Sequence, residues 1–498
     1  MTATTFEGSG ASMTGVAMSI TPLSYDPDPS DTGVIKNTGI GITFDHRILA
    51  GSGNITISVA TNAGAAGTVV ENFGVGSSVT IAGRRAVISP TNNLTVGDTY
   101  HINYPSGCFT NTGGDVDYVG TAYTFGVADE AMQLWSWGDN DTGWLGHNNN
   151  TEYSSPKQVP GTTWSNILTT GHYGLSANIA TKSDGTAWVW GYGADGRALG
   201  LHPSTTNYSS PVQLPGTTWN SGEMAGSGSG ISVIKTDGTL WSWGANNYGA
   251  LGVNNSSGTA ADVGSPVQIY GGGTTWSKIA RRATGAMAIK SDGTMWGWGR
   301  NQYGEVGTPG NTGFSSPTQI PGTTWSSVWC GEHQCMATKT DGTLWGWGRN
   351  PSGQLGQNNT TNYASPVQVP GTTWSSAGCG ADGNMMITKT DGTLWAIGWN
   401  GRGGLAQNDI VNRSSPVQIP GTTWSTERGT MGIGDNASAM AIKTDGTMWA
   451  WGTRYKGNFG DNSGSTTYYS SPVQVLGTGW SKVFVDNYQV IATKSVVQ

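Results

Sequence analysis

Charged residues are scarce in this chain. Only 11% of its 498 residues are Asp, Glu, Lys or Arg, and the 31 acidic residues outnumber the 24 Lys and Arg residues. The deficit is local, because residues 1–130 hold four Lys/Arg and eleven Asp/Glu, whereas residues 131–498 hold twenty of each. Nucleic-acid binding needs a positive surface that neutralises phosphates. The composition therefore argues against a nucleic-acid partner for either part.

Long apolar runs are missing as well. No segment approaches the ~20 apolar residues of a membrane-spanning helix, so we expect no membrane insertion. Residues 1–20 contain no Lys or Arg and no sustained apolar stretch, which is not the pattern of a secretory signal peptide. The sequence thus predicts a chain that keeps Met1 and has no cleaved leader.

Cysteine is rare, with four residues in the whole chain, too few for a disulfide framework at this size. Cys330 and Cys335 do not have the spacing of a CxxC motif. Cys330 and Cys379 each lie five residues after the Trp of a repeated Thr-Thr-Trp motif and directly before a Gly. We expect these cysteines to be small buried residues of a repeat.

Motifs of common enzyme classes are absent too. The sequence has no HExxH, CxxC, GKS/GKT or GxSxG, and its six His residues are scattered. Zinc hydrolases, phosphate-binding loops and serine hydrolases each require one of these arrangements. We therefore expect no enzymatic activity, no cofactor and no metal.

Glycine and tryptophan are, by contrast, abundant, with 79 Gly and 23 Trp residues. Few long windows lack Gly or Pro, so long helices are not expected. Frequent turns separated by β-branched and aromatic residues indicate an all-β protein.

An internal repeat of about fifty residues dominates the chain after residue 130. Trp-x-Trp-Gly occurs six times, and a seventh copy has Ile397 in place of the second Trp. Ser-Pro-x-Gln and Gly-Thr-Thr-Trp, or close variants, also occur seven times each. Together these motifs account for twenty of the tryptophans. The copies of Trp-x-Trp-Gly begin at Trp135, Trp188, Trp241, Trp296, Trp345, Trp395 and Trp449.

Each repeat is interpreted as four short antiparallel strands, centred on Trp-x-Trp-Gly, Ser-Pro-x-Gln, Thr-Thr-Trp and a Met-Ala-Ile-Lys-Thr segment. Asp-Gly pairs join the last strand to the next Trp-x-Trp-Gly, and such pairs are strong hairpin signals, because both turn residues are expected to need positive φ. Seven four-stranded units indicate a β-propeller with Trp residues between its blades. The Asp residues are expected to be turn formers: Asp184, Asp237, Asp292, Asp341, Asp391 and Asp445.

The pattern DGTLWSWGANNYGALG…SPVQIYGGGTTW…AIKSDGT, residues 237–294, resembles the regulator of chromosome condensation repeat. The resemblance covers residues ~131–498 and implies a seven-bladed propeller that binds proteins or surfaces through a ring of loops. The segment Cys330–Ala337 keeps the family's Cys-Gly and His. Most other repeats lack the His, so His333 is interpreted as a core or turn residue rather than a ligand.

The N-terminal part has a different pattern. Ile40, Ile42 and Phe44 alternate with small or polar residues, as do Ile55 and Ile57, which predicts half-buried strands. Later segments show the same succession of short strands and turns. The N-terminal part as a whole resembles the bacterial Ig-like module of surface-layer and adhesin proteins. We therefore predict three parts: an arm at 1–19, an Ig-like β-sandwich at 20–128, and a seven-bladed propeller at 129–498.

Two acidic segments are possible cation sites with simpler explanations. Asp139-Asn140-Asp141 resembles the start of a calcium loop, but it occupies a repeat loop and lacks the later bidentate Glu. The run from Asp26 to Asp31 contains two prolines and is interpreted as a solvated linker. Neither is expected to bind a metal.

Residues that break the repeat pattern are the candidate partner contacts. Trp144 and Trp399 occupy loop positions that vary between repeats, and we expect them to be exposed on one face. The pair Arg281 and Arg282 breaks its own repeat in the same way. Exposed aromatics beside Arg are typical of interface hot spots, so these four residues are predicted to contact a partner. Trp329 is expected to be a core residue.

The two ends of the repeat array are complementary. The first Trp-x-Trp-Gly strand has no Asp-Gly before it, and the final Ile-Ala-Thr-Lys strand has none after it. Pairing residues 489–495 with 132–138 closes the ring and leaves no open edge. In that arrangement Lys494 takes the place of Lys182 and its equivalents.

An Ig-like module of the kind found on exterior surfaces, in a chain without a secretory signal peptide, suggests a phage virion component. The leading hypothesis is a non-enzymatic tail fibre or capsid-attached protein, oligomeric in the virion, that binds other virion proteins or a host cell-surface molecule. The alternative is a bacterial surface or secreted adhesin or inhibitor. A polysaccharide-degrading spike is a third possibility that no motif supports.

Overall fold

The computed structural model of the protein describes residues 20–26, 29, 40–61, 65–91, 94, 98–114, 116–126, 132–161, 163–170, 177–193, 197–219, 222–228, 230–255, 262–381, 383–434, 436–486 and 488–495. Strands dominate this part of the chain, and its single helical element is a 3₁₀ turn at Asn247–Gly249. No helix among the described residues is long and apolar enough to cross a membrane. The chain divides into an N-terminal module, Met1–Glu130, and a C-terminal module, Ala131–Gln498.

The N-terminal module contains two four-stranded antiparallel sheets, β1-β2-β7-β6 and β10-β8-β4-β5, and a short β3–β9 pair. Its strands are β1 (Pro22–Asp26), β2 (Ile40–Phe44), β3 (Ile48–Ala50), β4 (Asn54–Ala60), β5 (Ala66–Gly74), β6 (Thr80–Ala82), β7 (Arg85–Ile88), β8 (Thr99–Tyr104), β9 (Phe109–Asn111) and β10 (Thr121–Gly126).

One apolar core joins the two sheets of this module. The alternating residues Ile40, Ile42, Ile55 and Ile57 are fully buried in it, so the predicted strands are confirmed. Strand β5 was not predicted, because most of its residues are exposed and it has no alternating pattern. The arm at 1–19 and most of the acidic run that follows Asp26 lie outside the described residues.

The described part of the C-terminal module contains five four-stranded antiparallel sheets and one eight-stranded sheet. The eight-stranded sheet is described here as two four-stranded units, 1 and 7, joined by the pairing of Met132 with Trp164, and the units are numbered from the first Thr-Thr-Trp strand. Unit 7 combines both ends of the repeat array, β11 (Met132–Gly138) and β12 (Tyr153–Gln158) with β37 (Trp480–Asp486) and β38 (Gln489–Ser495). Units 1 to 3 are β13 (Trp164–Thr169), β14 (Ala177–Lys182), β15 (Ala187–Gly191), β16 (Tyr208–Leu214); β17 (Met224–Ser227), β18 (Gly230–Ile234), β19 (Leu240–Gly244), β20 (Val263–Gln268); and β21 (Trp276–Arg282), β22 (Gly285–Lys290), β23 (Met295–Gly299), β24 (Phe314–Ile320).

Units 4 to 6 continue the same order of strands. They are β25 (Trp325–Cys330), β26 (Gln334–Lys339), β27 (Leu344–Gly348), β28 (Tyr363–Val369); β29 (Trp374–Cys379), β30 (Asn384–Lys389), β31 (Leu394–Gly398), β32 (Arg413–Ile419); and β33 (Met431–Ile433), β34 (Ala439–Ile442), β35 (Met448–Arg454), β36 (Thr467–Gln474). The Thr-Thr-Trp strand begins each unit, and we call it the inner strand.

The inner strands contact one another in sequence. Strand β13 contacts β17, and the contacts continue through β21, β25, β29 and β33 to β37, which contacts β13 again. Every inner strand begins beside an Asp-Gly turn and ends beside the loop that follows Trp-x-Trp-Gly. The module therefore has two ends, which we call the turn end and the loop end.

The Asp-Gly turns depend on a side-chain relay. Asp184 Oδ1 accepts hydrogen bonds from the backbone N–H and the hydroxyl of Thr186, at 2.9 and 2.7 Å, and these bonds hold the pKa of Asp184 below its ordinary value. The Thr hydroxyl accepts from the Trp188 indole at 2.9 Å. Only the glycine has positive φ, 83° at Gly185, so the expectation of two left-handed turn residues was wrong. The turn-forming role of the six Asp residues is confirmed, because the other five make the same bonds.

The second Trp of each Trp-x-Trp-Gly joins neighbouring units. Trp298 is fully buried and donates a hydrogen bond to the Ala250 carbonyl of unit 2 at 3.1 Å. Trp137, Trp190, Trp243, Trp347 and Trp451 make equivalent bonds. A Cβ on Gly252 would lie 2.8 Å from the Trp298 indole nitrogen, so the repeated loop glycine makes room for the ring. Packing of Trp between units is as predicted.

The predicted pairing of the terminal strands is confirmed. Strand β38 pairs antiparallel with β11 over its full length, from Met132 opposite Ser495 to Gly138 opposite Gln489. The Lys494 ammonium lies 4.9 Å from the Trp135 ring and 4.1 Å from the Trp480 ring. Lys182 lies in the same way against Trp164 and Trp188, at 4.9 and 4.5 Å. We call this β11–β38 pairing the seam.

Candidate binding channel

A cavity of about 480 Å³ lies between the inner strands, and residues from all seven of them line it. Aromatic and apolar side chains, including Trp329 and Phe484, form part of its wall. This volume is in the range of ligand-binding cavities in proteins. The channel is therefore the first candidate site of the C-terminal module.

Charged side chains from different units meet at the turn end of this channel. The Lys278 ammonium of unit 3 lies 2.7 Å from Glu223 Oε1, which belongs to the segment preceding β17. The Arg428 guanidinium, from the segment preceding β33, lies 3.7 Å from Glu223 Oε2. Arg428 Nη2 also donates to the Ile279 carbonyl at 2.8 Å. A side chain of unit 6 thus reaches units 2 and 3.

Two of these three charged residues precede an inner strand rather than lying in it. In five units the inner strand starts at the Thr-Thr-Trp tryptophan itself. In unit 2 it starts at Met224, five residues after Trp219, and in unit 6 it starts at Met431, seven residues after Trp424. Glu223 directly precedes β17, and its carbonyl accepts the Ile234 N–H at 3.0 Å, whereas Arg428 lies in the segment 425–430 between Trp424 and β33. Only the structure shows that the Arg428 side chain reaches Glu223.

One further charged side chain, Lys482, lies at this end of the channel, and Trp329 lies on the wall beside Arg428. The Lys482 ammonium of unit 7 donates to the Asn166 side-chain oxygen and, at 3.3 Å, to the Ser165 carbonyl of unit 1. The Arg428 guanidinium lies 5.8 Å from the Trp329 ring. Trp329 is half-buried on the channel wall, so its assignment as a core residue was only partly correct. We call Lys278, Arg428, Lys482 and Glu223 the channel rim, which carries three cations and one carboxylate.

Arg281 and Arg282 are buried at the loop end, which corrects the expectation that they are exposed. Arg281 is 4% exposed and donates to the hydroxyls of Ser232 and Ser242 in unit 2, each at 3.0 Å. A Cβ on Gly230 would lie 2.2 Å from its Nη2, so glycine there admits the guanidinium. Arg282 is 0% exposed and donates to the Arg300 carbonyl at 2.9 Å. Burial lowers the pKa of each to about 10.

A buried acid accompanies Arg282. Glu305 is fully buried, and its Oε2 accepts the Tyr303 backbone N–H at 2.7 Å. Burial alone would raise the pKa of Glu305, but His333, 3.6 Å away, and Arg282 lower it below its ordinary value. His333 lies in the turn between β25 and β26, so its interpretation as a turn residue is confirmed.

Cys330 and Cys335 form a disulfide bond, which corrects the expectation of unpaired cysteines. The two residues face each other across the β25–β26 hairpin, next to a turn closed by the Gly331 N–H and the Gln334 carbonyl. Their Cα atoms are 4.1 Å apart, within reach of a bridge. Spacing alone did not show that the two strands join here. Cys379 remains a thiol, and burial raises its pKa to about 12.

Trp144 is also buried, contrary to expectation. It is 4% exposed, and its indole donates to the Asp139 carbonyl. Its own carbonyl accepts from the Trp190 indole at 2.8 Å, so the residue belongs to the contact between units 7 and 1. Trp399 is half-buried, and the Arg402 guanidinium lies 6.0 Å from its ring. Of the four predicted partner contacts, Trp399 is the most accessible.

Three carboxylates meet beside the seam. Oxygen atoms of Asp139, Asp141 and Glu152 lie within 4.8 Å of one another, an arrangement that can hold a metal ion. The Lys456 ammonium already lies between them, 2.9 Å from Asp139, 3.3 Å from Asp141 and 3.0 Å from Glu152. A lysine thus supplies the positive charge here, and it joins unit 6 to unit 7.

Replacing Lys456 with Met is expected to destabilise the module by about 1 kcal/mol near pH 7. Burial alone would lower the pKa of Lys456, but hydrogen bonds to Asp139 and Glu152 raise it above its ordinary value. The lysine therefore stabilises the fold from neutral pH up to its own alkaline titration. The cost of the substitution should shrink below pH 5, because protonated carboxyls need no counter-ion. Urea unfolding at pH 7 and pH 4 measures this difference.

The control for this prediction is Lys494→Met. The Lys494 ammonium lies 4.9 and 4.1 Å from the Trp135 and Trp480 rings, and burial is the cause that lowers its pKa. Its substitution should change stability equally at both pH values. A Lys456→Met cost that is the same at pH 7 and pH 4 would contradict the assigned role.

Two sequence families match this chain. The family model for the regulator of chromosome condensation (RCC1) repeat matches residues 133–167, 237–287, 292–338 and 341–387. The family model for the bacterial Ig-like domain matches residues 17–127. The chain therefore contains RCC1 repeats and a bacterial Ig-like domain.

Curated relatives share part of the repeat region. The E3 ubiquitin-protein ligase HERC2 of Mus musculus is 30% identical over 189 residues, covering 34% of this chain and 4% of HERC2. The ultraviolet-B receptor UVR8 of Arabidopsis thaliana is 28% identical over 190 residues, covering 38% of this chain and 42% of the receptor. The chain thus spans less than half the length of these relatives.

Solved structures share the fold of the C-terminal module. Yeast RCC1 (Prp20) has a TM-score of 0.63 at 15% identity, covering 74% of this chain and 90% of that one. Human WBSCR16 has a TM-score of 0.62 at 18% identity, covering 73% of this chain and 99% of that one. The fold is therefore that of an RCC1-like propeller, at identities too low to transfer a function.

Proposed function

We propose that the C-terminal module is a closed seven-bladed propeller that acts as a non-enzymatic binding protein. The cyclic contacts of the inner strands and the seam support closure. The Trp residues, Asp-Gly turns and loop glycines are all used to build the repeat. Residues that depart from the repeat pattern are therefore the candidates for a functional role.

The observation that carries the proposal is the contact of Arg428, from the segment 425–430, with Glu223 of unit 2 and the Ile279 carbonyl of unit 3 at the turn end. In five units the inner strand starts at the Thr-Thr-Trp tryptophan, so the fold does not require a segment like 425–430. Departures from a repeat pattern are expected at functional sites. A rim with three cations and one carboxylate, next to an apolar wall, suits a partner that inserts an acidic or hydrogen-bond-accepting segment into the channel.

For the whole chain, we propose a virion structural or attachment protein, a tail fibre or capsid-attached protein. The Ig-like domain would dock to other virion proteins or act as a spacer, and the propeller would contact a host surface or a neighbouring subunit. Propellers of this fold hold proteins elsewhere: yeast RCC1 (Prp20) has been solved bound to Kap60, and Prp20p binds Gsp1p and histones. An oligomer in the particle follows from this proposal.

The test is the composition and adsorption of purified particles. Peptides from both modules should be found in gradient-purified virions, and the recombinant chain should compete with those virions for host cells. An Arg428→Met variant should lose competition while unfolding at nearly the same temperature, and Lys157→Met should compete normally. Virions that lack the chain would exclude the virion role. Full competition by Arg428→Met would exclude the channel rim.

A second candidate is a bacterial surface or secreted binding protein. The Cys330–Cys335 disulfide favours it, since such bonds persist mainly in oxidising surroundings. Neighbouring genes separate the two candidates: capsid and tail genes support the virion role, whereas export machinery supports the secreted role.

A further inference from the structure

The loop end carries a repeated pair of side chains. The Arg300 guanidinium carbon lies 5.4 Å from the Tyr248 ring centre, and the Arg349 guanidinium carbon lies 5.4 Å from the Tyr303 ring centre. In both pairs the Tyr is the fourth residue after one Trp-x-Trp-Gly, and the Arg is the first residue after the next. The same cation–π contact is therefore repeated one unit further along.

The following loop continues the array with the positions exchanged. Trp399 occupies the first position and Arg402 the fourth. The Arg402 guanidinium carbon lies 6.0 Å from the Trp399 ring and 6.0 Å from the Tyr468 ring of unit 6. We call this set the arginine–aromatic arc: Tyr248, Arg300, Tyr303, Arg349, Trp399 and Arg402, with Tyr468 at its end.

The arc is accessible to a ligand. Tyr248 and Tyr468 are each 57% exposed, Arg349 is exposed, and Arg300 and Arg402 are half-buried. Folding does not require aromatic rings at these positions, since other units have Thr142 or Ser352 there. Large exposed aromatics beside arginines are enriched in binding surfaces.

The arginines of the arc have no acidic partner among the described residues. Elsewhere in the module, arginines pair with carboxylates, as Arg197 does with Asp262, Arg413 with Asp409 and Arg454 with Asp461. Within the described part of the chain, no carboxylate lies within 4.0 Å of the Arg300, Arg349 or Arg402 guanidinium. Three guanidinium groups thus keep donors for a carboxylate of a ligand.

The form of the arc restricts the ligand further. A regular array on an open surface fits an extended polymer with a regular repeat better than a compact partner. Flat aromatic rings pack against the apolar faces of sugar rings, and guanidinium groups bind carboxylates bidentately. Nucleic acid fits less well, because its dense phosphates require a strongly positive surface, whereas residues 131–498 have no net charge.

We propose that the arginine–aromatic arc binds an acidic polysaccharide, with uronic-acid carboxylates on the arginines and sugar rings on the aromatic side chains. The arc lies at the opposite end of the module from the channel rim. The arc thus gives the proposed binding module a glycan-binding surface. This inference rests on the proposed function only in treating the C-terminal module as a binding module.

The experiment measures binding of the full chain to immobilised polygalacturonate at 150 mM salt, with neutral dextran, poly-glutamate and oligo-thymidylate as comparison probes. Wild type should bind polygalacturonate and not dextran. Arg349→Ala and Arg402→Ala should each weaken binding about tenfold, and the double substitution Tyr248→Ala and Tyr468→Ala should weaken it similarly. Arg413→Ala, at the same end but paired with Asp409, should bind within about twofold of wild type. Equal melting temperatures show that each variant is folded.

Several outcomes would overturn the proposal. Absence of polygalacturonate binding would do so, as would an Arg413→Ala loss equal to the Arg349→Ala loss. Equal or tighter binding of poly-glutamate would indicate a general polyanion surface or an acidic protein partner, and tighter binding of oligo-thymidylate would indicate nucleic acid. Arg428→Met should leave polygalacturonate binding unchanged, so failure here is distinguishable from failure of the channel-rim proposal.

Discussion

Deletion of Val490–Gln498 is expected to lower the unfolding temperature of the C-terminal module by roughly 15 °C, or to prevent its folding. The deletion removes nearly all of β38, whose residues Val490, Ile491 and Ala492 are fully buried. Strands β11 and β37 both lose their hydrogen-bonding partner, and the Trp135–Lys494–Trp480 contact is lost. Differential scanning calorimetry of the full chain and the truncated chain measures the effect.

The matched control removes residues 496–498 alone, which lie beyond β38, and should leave the melting temperature unchanged. The width of the unfolding transition distinguishes loss of the seam from simple fraying of a terminal strand. Loss of the seam should broaden or split the whole transition of the C-terminal module, because an open array unfolds unit by unit. A sharp transition within about 3 °C of the intact chain would show that the seam does not stabilise the C-terminal module.

Substitution of Trp298 by Ala is expected to cost about 4 kcal/mol. The ring is fully buried between units 2 and 3, and its loss leaves a cavity beside Gly252. The Ala250 carbonyl, which accepts the indole N–H at 3.1 Å, also loses its partner. Urea unfolding followed by intrinsic fluorescence gives the free energy of unfolding.

The repeat array itself supplies the comparison variant for this prediction. Ile397 occupies the equivalent position in unit 5 and is fully buried. Trp298→Ile should therefore cost about half as much as Trp298→Ala, because it refills part of the cavity without restoring the hydrogen bond. Equal costs for the two variants would show that the hydrogen bond, rather than packing, dominates at this contact.

The repeated features of this protein were predictable because seven copies of the unit show which residue type each position needs. Each of the six repeated Asp-Gly turns is followed by a Thr that completes the turn, and each unit has a Lys that lies against two Trp rings. The incomplete repeat at each end predicted the pairing of β38 with β11 residue by residue. In the N-terminal module, strand alternation predicted β2 and β4 but not the largely exposed β5.

Features present once in the chain were harder to predict. Arg281 and Arg282 resemble surface residues in the sequence, yet the glycines at 230 and 285 admit their side chains between strands. Trp144 occupies a variable loop position but packs between units 7 and 1. Cys330 and Cys335 became partners because the hairpin places them face to face. Each error came from judging exposure from one residue without knowing its neighbours in space.

The sequence by itself determined the strands, the turns, the number of repeats and the closing pair, because these depend on short-range patterns and on the period of the array. Only the tertiary structure decided which departures from the repeat meet. Glu223 and Arg428 are 205 positions apart in the chain, and the arc joins loops of successive units. Such contacts depend on how units distant in the sequence pack against one another, which no local pattern of residues specifies.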